Sequence, residues 1–302
     1  MRPTEAHWTA GVARPPRVGV VRMSQVDVFS TEPLLGNPVA VVHDADDLTT
    51  EQMAAFARWT NLSETTFLLR PTDPAADYRL RIFTPGEELP FAGHPTLGSA
   101  HAWLEAGGRP QGATVVQECG AGLVQVRRDG ERLAFRAPPL VRSGPVEETD
   151  LARVRRALGL APDEVVASAW VDNGPGWVAV LLRDADAVLD LRPDWSAFED
   201  LEIGVVGAHP AGGETALEVR AFCPGIGVPE DPVTGSLNAG VAQWLLGERV
   251  LGEHLASSYV AAQGTAIGRR GRVHVDLVGE GPDAEVWVGG ATRTTIAGEL
   301  HL

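Results

Sequence analysis

Apolar positions recur along this chain in two rhythms: short β-branched runs of period two, and a few longer stretches with helical spacing. Gln25–Phe29 and Pro38–His43 read as strands around a Gly36-Asn37-Pro38 turn. Thr49–Thr60 reads as a helix, with Met53, Phe56, Ala57 and Trp59 apolar, Thr49 or Thr50 as N-cap and Glu51 in the first turn. Ser63–Leu69 and Ala76–Phe83 are strand-like. Pro95–Leu104 is apolar nearly all round (Leu97, Ala100, Ala102, Trp103, Leu104), the mark of a buried helix rather than a surface one. Thr114–Gln117, Leu123–Arg127 and Arg132–Arg136 continue as strands, with Asp129-Gly130 as a hairpin signal.

Ala137-Pro138-Pro139 is the best linker candidate. Beyond it the pattern predicts a helix near Asp150–Leu158 and strands near Glu164–Val171, Trp177–Leu182, Leu201–Val206 and Leu217–Phe222. A second all-apolar helix spans Val233–Leu246, and Val273–Leu277, Ala284–Val288 and Ala291–Ala297 close the chain as strands. The expected class is α+β, each half mostly strands around one buried helix, rather than a β-α-β alternation.

The chain also says one thing twice. Arg81-Ile82-Phe83-Thr84-Pro85 leads into His94-Pro95-Thr96-Leu97-Gly98-Ser99; Arg220-Ala221-Phe222-Cys223-Pro224 leads into Asp231-Pro232-Val233-Thr234-Gly235-Ser236. The offsets, 220 − 81 = 139 and 231 − 94 = 137, are too long for a solenoid and fit two copies of one domain. The copies differ at the residue before proline, His94 against Asp231. Unlike polar groups at matched places predict an active site in the cleft between the halves.

Composition narrows the chemistry. A length of 302 residues with 44% hydrophobic content is ample for two cored domains. A net charge of −15 and a pI near 4.9 argue against nucleic acid or an anionic membrane as partner. No run approaches the ~20 apolar residues of a membrane span. The first 22 residues lack the features of a secretory signal and read as a disordered leader, or as a start assigned ahead of a true one at Met23. Cys119 and Cys223 make no disulfide framework in a chain this long, which fits a reducing cytoplasm; no further role attaches to either. All 25 basic residues are arginine, so a pyridoxal Schiff base, a lysine nucleophile and a Walker-A lysine are excluded.

Helix starts rich in Gly and Pro bring backbone N–H groups close to a ligand, with the positive end of the helix dipole behind them. Gly93, Pro95 and Thr96, with Thr234, Gly235 and Ser236, thus form a candidate site for a small carboxylate. Taken singly each loop reads as an ordinary helix cap; their repetition favours the functional reading. Glu64, at the start of an apolar strand, is a candidate acid/base, since desolvation raises a carboxyl's pKa, though an isolated glutamate there more often faces solvent. Asp231 reads equally as a cap or as a substrate hydrogen-bonder. His94 is the one histidine inside a repeat loop.

At these residues the chain resembles the PhzF-like (phenazine-biosynthesis) isomerases of the diaminopimelate epimerase fold. The matches are Asp27-Val28-Phe29, Gly36-Asn37-Pro38, Leu62-Ser63-Glu64-Thr65, Gly93-His94-Pro95-Thr96, Glu230–Ser236, Gln263-Gly264 and Gly268-Arg269. The resemblance implies a cofactor-free homodimeric enzyme with two pseudo-symmetric domains, residues 23–137 plus 291–302 and residues 138–290, each a curved, mostly antiparallel sheet around a central helix. It implies Glu64 as the acid/base, with His94, Asp231 and Ser236 orienting the substrate and assisting. The family reaction isomerises 2,3-dihydro-3-hydroxyanthranilate; relatives shift double bonds in other cyclic amino acids. The cysteine pair of epimerases and proline racemases is missing from these loops, so two-base thiol chemistry is not expected.

Three rivals are weaker. A serine hydrolase on Ser236, His94 and Asp231 lacks the G-x-S-x-G elbow. A metal shared by His94 and His101 would have to span about 10.5 Å at the 1.5 Å rise per helical residue. A non-catalytic binding protein would be expected to have lost Glu64.

Overall fold

The computed structural model describes residues 19–226, 228–252, 255–279 and 284–301. The first half runs β1 (Val20–Val28), β2 (Asn37–Val42), α1 (Thr50–Thr60), β3 (Thr65–Leu69), β4 (Tyr78–Phe83), β5 (Glu88–Leu89), α2 (Gly93–Glu105), β6 (Val115–Cys119), β7 (Gly122–Asp129) and β8 (Arg132–Arg136). The second runs β9 (Arg142–Gly144), α3 (Glu148–Leu158), β10 (Ala167–Asp172), β11 (Trp177–Leu181), α4 (Ala185–Asp190), β12 (Glu202–Ala208), β13 (Leu217–Cys223), β14 (Val228–Asp231), α5 (Gly235–Gly247), β15 (Ser258–Gln263), β16 (Gly271–Val278) and β17 (Glu285–His301). All the strands join one hydrogen-bonded sheet.

The pairing closes on itself. β1–β2–β3–β4–β6–β7–β8–β17 is a ring, because β17 pairs with both β8 and β1. Helix α2 packs against β1, β2, β3, β6, β8 and β17 of that ring, and nine of its residues from Gly93 to Ala102 are buried. In the second half β9–β10–β11–β12–β13–β15–β16–β17 are paired in sequence, and α5 packs against β10, β11, β16 and β17. One apolar cluster includes residues of both helices, so each is largely buried against the sheet, as the apolar pattern predicts.

Several expectations are corrected. The sheet is not free of β-α-β crossovers: β2–β3, β4–β6, β11–β12 and β13–β15 are parallel pairs, and a parallel pair needs a crossing connection, here α1, α2, α4 and α5. The leader ends earlier than residue 22, since Val20, Val21 and Arg22 pair with His301, Leu300 and Glu299, and Met23 lies within β1; the rest of it, residues 1–18, lies outside the described residues. The last two expected strands are one, β17, because Gly289 and Gly290 do not interrupt it. Close neighbours, Ala134 and Phe29, leave no room for side chains there. β5, β9, β14, β15 and α4 have no counterpart among the elements the sequence pattern predicts.

Candidate active site

The chain entering β3 positions Glu64. Helix α1 opens on a capping box between Thr49 and Gln52 and stops at Asn61, whose φ of 54° is the left-handed conformation asparagine tolerates at a helix end. The chain then turns through Leu62 and Ser63 into β3, whose first two residues, Thr65 and Thr66, have no exposed surface. Glu64, just ahead of them, is drawn inward, and its side chain is 12% exposed. His94 is the second residue of α2, with its side chain 4% exposed. His94 Nε2 and Glu64 Oε2 lie 3.2 Å apart, yet neither atom has an aligned hydrogen-bond partner.

Asn37, at the start of β2, ties this pair to the other half. The Gly36-Asn37 turn needs its glycine: φ is +67° and the Val28 carbonyl occupies the space of a Cβ. Asn37 Nδ2 donates to Asp231 Oδ1 at 2.8 Å and to the Val233 carbonyl at 2.9 Å, and lies 3.2 Å from His94 Nδ1. Asp231 ends β14. Its Oδ2 accepts from Thr234 Oγ1 at 2.6 Å, and its Oδ1 also accepts from Ser63 Oγ at 3.5 Å. Gln263 locks the turn: its Oε1 accepts from Thr234 N and Asn238 Nδ2, and its Nε2 donates to Thr234 Oγ1 and the Asp231 carbonyl.

The two helix starts meet tip to tip. A Cβ on Gly93 would stand 2.9 Å from Cα of Gly235, so only glycines permit this approach. Neither first turn has a side-chain cap, and their amides, with the positive dipole ends, converge beside Glu64, His94 and Asp231. Ser236, in the first turn of α5, accepts from Trp177 Nε1 at 3.1 Å, and its carbonyl accepts from Asn173 Nδ2 at 2.9 Å. Thr96 turns away into the scaffold, where it accepts from Gln117 Nε2 at 3.0 Å. Pro95 is buried in the first turn, where a missing N–H costs nothing.

The electrostatics favour neutral groups. Burial, and then the Asp231 carboxylate, hold Glu64 well above the usual carboxylate range. Burial pushes Asp231 to about 6 against the hydrogen bonds from Thr234, Asn37 and Ser63 that favour its ionised form. Burial lowers His94 to about 3, so the ring is neutral near pH 7. Cys223 is buried, and desolvation with the charges of Asp231, Glu202 and Glu64 keeps its thiol protonated. Such a site can hold and return a proton, but it offers no thiolate base.

Of the candidates read from the sequence, Glu64, His94, Asp231, Gly93, Thr234, Gly235 and Ser236 lie together here. It did not single out Asn37, Ser63, Asn173 or Gln263 as site residues, although three of them lie in the quoted motifs Gly36-Asn37-Pro38, Leu62-Ser63-Glu64 and Gln263-Gly264. Open depressions lie elsewhere on the surface; one of about 260 Å³ is lined by Arg22, His43, Tyr78 and Trp103. It gathers no comparable proton-transfer pair, so chemistry rather than size locates the site. Among the described residues no cluster of three or more His, Cys, Asp or Glu side chains is placed to hold a metal ion.

The chain is also similar to known proteins. The family model described as phenazine biosynthesis-like protein matches residues 26–298. The chain is 39% identical over 293 residues to antisense-enhancing sequence 1 of Schizosaccharomyces pombe, covering 92% of this chain and 98% of that protein. It is 38% identical over 261 residues to trans-2,3-dihydro-3-hydroxyanthranilate isomerase of Pseudomonas aeruginosa, covering 85% and 90%. The crystal structure of a PhzF-family phenazine biosynthesis protein from Enterococcus faecalis superposes with a TM-score of 0.76 at 25% identity, over 94% of this chain and all of that one.

Proposed function

The chain belongs to the PhzC-PhzF phenazine biosynthesis-like family and is an isomerase, and from that premise we propose that it moves a proton, and with it a double bond, within a small unsaturated cyclic amino acid resembling 2,3-dihydro-3-hydroxyanthranilate. The observation that carries the reading is the buried Glu64 carboxyl, held above its ordinary range against His94 where two helix tips meet.

In this reading the ionised Glu64 takes a proton from an allylic carbon, exchanges it with solvent, and then protonates another carbon on the same face of the ring. Negative charge spreading over the conjugated system is stabilised by the first-turn amides of α2 and α5, which, with Ser236, also hold the substrate carboxylate. Asp231, fixed by Asn37 and Thr234, orients the ring, and neutral His94 keeps the Glu64 carboxyl in place. We read the two sequence repeats as two domains of one ancestry, residues 20–137 plus 291–302 and residues 138–290, working as a cytoplasmic homodimer without a cofactor. Light scattering tests the dimer. A proline-derived diene is the alternative substrate.

Incubation with 2,3-dihydro-3-hydroxyanthranilate in D₂O, followed by proton NMR, tests the reaction. Double-bond migration with solvent exchange at the receiving carbon is expected. Absence of migration in this and related cyclic diene acids would refute it.

A further inference from the structure

Strands β3 and β12 hold the same place in the repeat. Each runs parallel to the strand before it, with Ala40 beside Thr65 and Val178 beside Ile203. Each runs antiparallel to an R-x-F strand, with Thr65 opposite Phe83 and Ile203 opposite Phe222. The offsets, 178 − 40 = 138, 203 − 65 = 138 and 222 − 83 = 139, are the period of the motifs. The residue just ahead of Thr65 is Glu64, and the residue just ahead of Ile203 is Glu202, again 138 further on. Both glutamates keep a buried Oε2 without a hydrogen-bond partner. Glu202 also lies beside Trp177, whose indole donates to Ser236 of the α5 tip.

We infer that Glu202 is the cation-recognition residue of the cleft, taking an ammonium group of the substrate while the helix tips take its carboxylate; this rests on the reading of the substrate as an amino acid. The charge inventory points this way. Around Glu202 stand Asp172 from the end of β10, Asp231 from β14, Glu87 from the turn after β4 and the protonated Cys223 thiol from β13. Every charge among them is negative. Among the described residues no arginine pairs with Glu64, Asp231 or Glu202. The arginines of the matched strands are already committed, Arg81 to Glu88 at 2.6 Å and Arg220 to Glu230 at 2.8 Å. His94 is neutral, so among the described residues no cation faces these carboxyls, and a cationic group on the ligand would be the one to favour their ionised form.

Of the three carboxyls, Glu202 is the one available for it. Asp231 has both oxygens engaged by Asn37, Ser63 and Thr234, and Glu64 faces His94 and carries the proton. Burial, then Asp172, Asp231 and Glu87, push Glu202 up to about 7. A cation alongside removes that repulsion and holds the group ionised.

Calorimetric titration of trans-2-aminocyclohexanecarboxylate and of cyclohexanecarboxylate separates the ammonium from the rest of the ligand. Wild type is expected to bind the amino acid at least ~10-fold tighter, about 1.4 kcal/mol. E202Q should bring the two within about twofold, and E202D should restore part of the preference. A preference unchanged in E202Q, or equal weakening of both ligands, overturns the inference while turnover of dihydro-hydroxyanthranilate by wild type leaves the proposed function standing. Wild type that binds neither ligand and turns over no cyclic diene acid overturns both.

Discussion

The two copies of the x-P-x-x-G-S motif fold differently. In the first, His94-Pro95-Thr96-Leu97-Gly98-Ser99 lies wholly inside α2, which starts at Gly93. In the second, Asp231 ends a strand, Pro232, Val233 and Thr234 lead up to the helix, and α5 starts only at Gly235. The glycines that touch, Gly93 and Gly235, are therefore not sequence equivalents; the counterpart of Gly235 is Gly98, packed against Val28 and Val39. Neighbours decide the outcome. Asp231 is held in the sheet opposite Ala221, and Gln263 captures the Thr234 amide before the helix begins. In the first copy Gln117 donates to the Thr96 hydroxyl and accepts from the Tyr78 hydroxyl, and captures no backbone amide of the helix start. The consequence is chemical. The first half presents Glu64 and His94 with unpartnered atoms facing each other, while the second presents an aspartate bound on all sides. One side is built to change its protonation and the other to stay in place.

The sharpest way to break this comparison is to neutralise each half in turn. E64Q should lower turnover by more than the ~10²–10⁴-fold of ordinary acid–base assistance, because no step proceeds without the base, with the melting temperature retained. Near-normal turnover would reverse the assignment of roles. The next contrast is between the two buried glutamines. Q263L and Q117L should each destabilise by about 1–3 kcal/mol in denaturant titrations, since each strands buried polar partners. Only Q263L should also reduce kcat/KM, because it frees Thr234 and with it Asp231.

A smaller effect concerns pH. Asp231 raises Glu64, so D231N should move the ascending limb of kcat/KM, set by ionisation of Glu64, towards lower pH. A shift to higher pH would show that the charge acts otherwise. The smallest effect is on stability. Glu202 has a folded-state value of about 7 against an ordinary 4.5, so its contribution is full below about 4.5 and is lost as pH rises through 7. Melting of E202Q should therefore depend less on pH than wild type between pH 5 and 8.

Much of this was legible in the chain. The all-round apolar patterns marked α2 and α5, the repeated motif brought His94 and Asp231 together, and Glu64 stood out at the head of an apolar strand. The offset of the helix starts was hidden because proline suits both the first turn of a helix and the residues leading into it. Glu202 was hidden because its flanks, Leu201 and Ile203-Gly204, share nothing with Ser63 and Thr65-Thr66; only strand register shows the match. Asn37 reaches a partner 194 residues away, a contact no local pattern contains.

The central claim is that Glu64 is a buried carboxyl, protonated in the free enzyme, that ionises when substrate binds and then carries the substrate proton. Infrared difference spectroscopy of wild type against E64Q at neutral pH reads this directly. The account predicts a protonated-carboxyl band in the free enzyme that E64Q lacks and that converts to carboxylate when an amino-acid ligand binds. A Glu64 already ionised in the free enzyme at that pH, and unchanged by ligand, would contradict it.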